Sequence, residues 1–352
     1  MSVLVSTRVT GPASLKSRLV SIFALLAVAN VAAWALAYVA FADQPILLGT
    51  AFLAWMLGLR HAVDPDHIAA IDNVTRKLMA DGQTPVATGF WFALGHSTVV
   101  VVAAALLALT ASAMQERFAE FREAGGLIGI SVSAAFLLLI GLFNLLVLAD
   151  VWRSFRRYRA TGHFSEEDTN ALLARRGFLS RILRPLFGMI SKSWHMYPLG
   201  LLFALGFDTA TEISLFGVAA TAGADGLSFQ AIMAYPLLFT AGMALADTAD
   251  GVMMLGAYGW AYVKPARKLF YNLVITALSI FVAFAIGGVE ALGLVGERLK
   301  LEGWFWDIVA SANDQLPVLG FVIVGLFAGA ALLSMLVYRL GNFDEPARRR
   351  EA

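Results

Sequence analysis

Apolar residues in this chain are gathered into eight long segments, near residues 19–42, 46–72, 86–112, 127–149, 197–222, 229–259, 269–294 and 316–340. A helix needs about 20 apolar residues to cross a hydrocarbon core about 30 Å thick. Backbone N–H and C=O groups in lipid must be satisfied within the chain, so each segment is expected to be helical. The pattern predicts an all-α polytopic membrane protein with eight transmembrane helices, forming one transmembrane domain over residues 1–352. The first, fourth, seventh and eighth segments are almost purely apolar and read as scaffold. The second, third, fifth and sixth carry polar motifs.

Composition agrees, with 59% apolar and 14% charged residues against about half and a quarter in soluble domains. The run Leu19–Ala42 is 24 residues long, beyond the roughly 7–15 of a signal-peptide core, so it is expected to stay as the first span. With a cytoplasmic N-terminus, 21 of the 26 Lys and Arg fall on the cytoplasmic side. Only Arg117, Arg122, Arg298 and Lys300 fall outside, and Arg60 lies within the second span. This imbalance predicts cytoplasmic termini in a cell-membrane protein, and a basic cytoplasmic loop at 151–196 carrying His163 and His195. The segment before the last span holds acids with Trp304 and Trp306, as an interfacial amphipathic stretch would. There is no Cys, which excludes disulfides, iron–sulfur clusters and thiolate metal sites. The 11 Met are scattered as packing residues.

Chemistry concentrates in the second span. Its uncharged run Ile46–Leu59 has 14 residues, about 21 Å of helix, so the cluster that follows must sit partly at membrane depth. That cluster is Arg60-His61-Ala62-Val63-Asp64-Pro65-Asp66-His67. On a continuous helix His61, Asp64 and His67 form a slanting stripe that one ion could reach, while Asp66 points elsewhere. Pro65 lacks an N–H, so the turn should kink and leave the His61 carbonyl without its helical partner. An opened turn could bring all four side chains and a backbone oxygen around one cation.

The third span adds His96 near the bilayer midplane, beside Gly95, Ser97 and Thr98. In the fifth, Asp208 and Glu212 stand four apart on one face. In the sixth, Asp247 and Asp250 stand three apart. These acids outnumber the Lys and Arg of their spans, so cations or shared protons are their natural partners. Nitrogen and oxygen donors without thiolate point to a divalent transition metal. The candidate metal set is therefore His61, Asp64, Asp66, His67, His96, Asp208, Glu212, Asp247 and Asp250. Asp208-Thr-Ala-Thr-Glu212 also echoes Asp247-Thr-Ala-Asp250. The offset of three helices would make this an inverted three-helix repeat.

Together the four motifs resemble the nickel/cobalt transporter family (NiCoT). They are RHAVDPDHIAAIDN from Arg60, FWFALGHSTVV from Phe90, LGFDTATE from Leu205 and FTAGMALADTADG from Phe239. The resemblance implies eight helices, cytoplasmic termini and uptake of Ni²⁺ or Co²⁺, with His61, Asp66 and His67 as the essential signature. Pro65 stands where many members have Ala. The metal is then cargo and no cofactor is expected. No Walker A loop is present, so a secondary transporter is expected, with the bilayer and the metal ion as partners. Efflux on the same scaffold and an intramembrane metalloenzyme are the alternatives.

Overall fold

A computed structural model describes residues 12–110, 127–142 and parts of 144–156, then 190–206, 210–224, 226–261, 265–316 and parts of 322–333. No strand occurs among the described residues. Four helices are long and apolar enough to cross a membrane, and a bent pair makes a fifth crossing. They answer to the first, second, third, sixth and seventh expected spans. The fourth appears as a shorter helix, Leu127–Leu142, and the eighth falls largely outside the described residues.

Helix α1 (Pro12–Phe41) shows why the fold needs a bilayer. Leu26, Ala33, Ala37 and Phe41 form a buried stripe, but Val20, Leu25, Val28, Val31 and Val39 on the other faces are exposed. A helix apolar all round with one side against protein suits a lipid boundary. One polar clamp fixes it. Asn30 donates to the Ala241 carbonyl at 3.2 Å and accepts from Trp55 Nε1 at 2.9 Å. This ties α1 to the two helices behind it.

The second expected span is broken at the turn before Pro65, where the missing N–H predicts a kink. Helix α2 (Pro45–His61) and helix α3 (Pro65–Ala80) meet at a 51° bend. Pro65 begins α3, where its missing N–H costs nothing, and Asp64 before it is extended (φ −64°, ψ 142°). The His61 carbonyl is not left free either. The turn tightens so that the Asp64 N–H donates to it at 2.9 Å, and Val63 N–H donates to Arg60 O at 3.1 Å. From His67 to Arg76 every residue of α3 is buried. Arg76, counted above among the cytoplasmic cations, is thus inside the bundle, bonded to Thr276 and Asn73.

Helix α4 (Thr88–Thr110) and α5 (Leu127–Leu142) follow. The fifth expected span is interrupted. Helix α6 (Met196–Phe203) passes into a 3₁₀ turn at Ala204–Gly206, and α7 (Ala210–Ala224) begins after three residues outside the described set. A short helix α8 (Phe229–Ile232), capped by the Ser228 hydroxyl, leads into α9 (Ala234–Ala261). Helix α10 (Pro265–Arg298) and the surface helix α11 (Trp304–Asp314) come next.

Glycines set the closest contacts. A Cβ on Gly58 of α2 would overlap the Phe239 carbonyl of α9, and one on Gly242 of α9 would press on the Trp55 carbonyl of α2. Gly95 of α4 meets the Tyr197 carbonyl of α6, and Gly200 of α6 meets the Phe92 carbonyl of α4. Lipid gives helices no hydrophobic reason to associate, so packing of this closeness supplies much of the attraction. These reciprocal pairs join the helices that carry the polar motifs.

Candidate metal site

Three imidazoles converge where α2 breaks from α3. His61 ends α2, His67 lies in the first turn of α3 and His96 sits mid-way along α4. Their ring centroids are 4.7, 4.8 and 4.8 Å apart, nearly an equilateral triangle. One nitrogen from each lies within 4.8 Å of the others, and all three residues are buried. Phe239 packs against the ring of His61 and Phe92 against that of His67.

Carboxylates orient two of the rings. His61 Nδ1–H donates to Asp64 Oδ2 at 2.7 Å, and Asp64 Oδ1 accepts from Arg60 at 3.0 Å. Asp64 is the residue before α3, where Asp would ordinarily cap the helix. Here it makes no side-chain cap, its carboxylate turned to His61 instead. His67 Nδ1 lies 3.3 Å from both oxygens of Asp247 on α9. A carboxylate on one imidazole nitrogen fixes the tautomer and leaves the other nitrogen a lone-pair donor. His67 Nε2 is buried with no hydrogen-bond partner.

His96 is held differently. Its Nε2 lies 2.9 Å from His61 Nε2 and 3.0 Å from Oε1 of Glu212 on α7, while Nδ1 is buried and unpartnered. With Nδ1 of His61 protonated toward Asp64, a single His96 Nε2–H is shared between the His61 lone pair and the Glu212 carboxylate. Glu212 Oε1 is also 3.9 Å from His61 Nε2.

His61, Asp64, His67, His96, Glu212 and Asp247 are therefore brought together. Asp250, one turn further along α9, has both carboxylate oxygens buried without a hydrogen bond. Asp66 is half-buried in the first turn of α3 and makes no hydrogen bond or ion pair among the described residues. Asp208 lies outside the described residues, as does part of the internal echo.

A second buried cluster went unread in the sequence. Asp72 accepts from Tyr258 at 2.6 Å and Ser279 at 2.8 Å. Asn73 accepts from Asn144 at 2.5 Å and Arg76 at 2.9 Å, and donates to Ala69 O at 2.7 Å. Asp72-Asn73 was visible as polar sequence, but Tyr258, Ser279 and Asn144, which complete the cluster, are single residues far away in the chain.

The fold and this cluster define a multi-pass membrane protein with a nitrogen-rich polar centre buried among its helices. The chain belongs to the family of high-affinity nickel-transport proteins (NicO), whose profile matches residues 47–337. It is 51% identical over 342 residues to a high-affinity nickel transport protein of Cupriavidus necator, covering 97% of each chain. It is 53% identical over 318 residues to the hydrogenase nickel incorporation protein HupN of Bradyrhizobium diazoefficiens, covering 90% of this chain and 83% of the relative. The cobalt transport protein NhlF of Rhodococcus rhodochrous is 40% identical over 332 residues, covering 91% and 93%. No solved structure matches the chain.

Proposed function

We propose that this protein carries Ni²⁺ or Co²⁺ into the cytoplasm as a secondary transporter, with His61, His67 and His96 as the intramembrane site. The observation that carries this reading is the triangle of buried imidazoles, two of them set by carboxylates, in a chain whose relatives are named for nickel and cobalt transport. The names of the same relatives support transport over catalysis.

The donor set suits the cargo. Imidazole nitrogen binds nickel and cobalt well, and a hard oxygen-only ion such as Mg²⁺ gains little from it. Two nitrogens 2.9 Å apart share one ion at bonds of about 2.05 Å with an angle near 90°, as in square-planar or octahedral geometry, whereas a tetrahedral site needs about 3.3 Å. Glu212 Oε1, 3.9 Å from His61 Nε2, is near the roughly 4.1 Å that separates donors on opposite sides of such an ion. An arriving cation takes the place of the shared proton. The proton moves to the open Nδ1 of His96, and Nε2 becomes a ligand.

Asp64 and Asp247 act on this reading as orienting partners that also offset the dication's charge. Asp66 adds negative charge beside the histidines. Asp250 offers an oxygen way-station, and Asp208 belongs to the same route through the fifth span. The membrane potential favours entry by about 4.6 kcal/mol per 100 mV for a divalent ion. The domain covers the whole chain, with both ends in the cytoplasm and residence in the cell membrane.

The test is accumulation of trace Ni²⁺ and Co²⁺ in cells expressing the protein or its His67→Ala variant at matched membrane levels. Accumulation above the vector control, lost in the variant, is expected. Accumulation below the control would mean efflux, and equal accumulation by the variant would remove His67 from the site.

A further inference from the structure

A cavity of about 410 Å³ lies between α3, α5 and α6, apart from the histidine site. Its walls are Val74, Phe136, Leu139, Ile140, Leu199 and Leu202, almost wholly apolar. The volume falls within the roughly 300–1,000 Å³ of small-ligand pockets. Nothing in such a lining would recognise a metal ion. Leu202 and Trp194 on its rim are 39% and 53% exposed, so the cavity opens on the outer surface of the bundle.

The charged side chain lining this cavity is Lys77. Its ammonium lies 2.6 Å from the Ile190 carbonyl and 3.2 Å from the exposed Asp81 carboxylate, leaving one of its three N–H donors over. Exposed Lys192 and the lining His195 follow Ile190 in the sequence. Trp194 stacks edge-on to His195 at 4.2 Å. An amphipathic Trp beside basic residues is the composition of the headgroup level.

We propose that this groove binds one anionic phospholipid, its acyl chain lying along Leu139, Leu199 and Leu202 and its phosphate at Lys77 and Lys192. A basic mouth on an apolar slot between transmembrane helices is the arrangement that selects anionic headgroups. Val74 and Lys77 belong to the helix that carries His67, so the lipid braces α3 from its far end. The inference needs only the membrane location and does not depend on the cargo.

The test is native mass spectrometry of the purified full-length protein titrated with phosphatidylglycerol or phosphatidylcholine. One phosphatidylglycerol should be retained, preferred over phosphatidylcholine by about 5-fold or more, and Lys77→Gln should remove about that factor. Leu139→Trp fills the slot and should abolish retention of both lipids. Leu202→Trp at the exposed rim should do the same, and it decides the matter if Leu139→Trp does not fold. Equal retention of the two lipids by the wild type, or wild-type retention by the folded Trp variants, would overturn the proposal.

Discussion

Helix α3 carries two buried polar clusters, one toward each end, and they are completed differently. Toward its C-terminus both oxygens of Asp72 are bonded, Asn73 is bonded to three partners, and Arg76 reaches Thr276 and Asn73. Among the described residues of α3 there, Thr75 Oγ1 and Arg76 Nε are left over. Toward its N-terminus His67 Nε2 and His96 Nδ1 are buried with no hydrogen-bond partner among the described residues. Buried polar groups are costly unless bonded. The bonded cluster therefore reads as an anchor that locks α3 to α9, α10 and Asn144. The open one keeps His67 Nε2 available for a ligand and His96 Nδ1 for the proton that a ligand displaces.

Mutations should separate the two. The largest effect on transport is expected from His67→Ala, with accumulation of Ni²⁺ at the vector level. Its loss of metal affinity should exceed the roughly 10–100-fold typical of an outer partner, with protein abundance unchanged on immunoblots of membranes. The reverse split is expected of Asp72→Ala. It removes the carboxylate that accepts from Tyr258 and Ser279 and should cost about 3 kcal/mol of stability. That loss should appear as a lowered unfolding temperature of the purified protein, with the metal affinity of the folded fraction retained. If Asp72→Ala instead spared stability and lost metal, the division between anchor and site would be wrong.

Asp247→Asn sharpens the comparison within the open cluster. Metal affinity should fall about 10–100-fold through a misheld His67, with folding intact, as measured by isothermal titration. The smallest effect belongs to Thr98→Val. It removes the 2.8 Å bond within the helix to the Leu94 carbonyl and the 3.0 Å bond with the Tyr197 hydroxyl, the one between helices at a cost of about 0.6 kcal/mol. Thermal unfolding should register it and transport should not.

Much of this was legible in the sequence for local reasons. Pro65 announced the break, because a missing N–H acts within one turn, and the short run before Arg60 placed the charged cluster at depth. Polar residues in apolar spans marked His96, Glu212 and Asp247 as exceptions. Tertiary geometry escaped. Spacing on an ideal helix put Asp64 in a row with both histidines, but the 51° bend turns it back to His61 alone. Composition placed Arg76 in the cytoplasm, whereas Thr276 and Asn73 hold it inside. The anchor itself depends on Tyr258 and Ser279, about 190 and 210 positions from Asp72, a pairing no local pattern records.

The central claim is that the imidazoles of α2, α3 and α4 hold the ion. Nickel K-edge X-ray absorption of the purified, nickel-loaded protein tests it most directly. The account predicts a first shell of nitrogen and oxygen only, with the outer scattering of about three imidazoles and non-tetrahedral geometry, reduced by one imidazole in His67→Ala. A shell without imidazole scattering, or one unchanged in that variant, would contradict it.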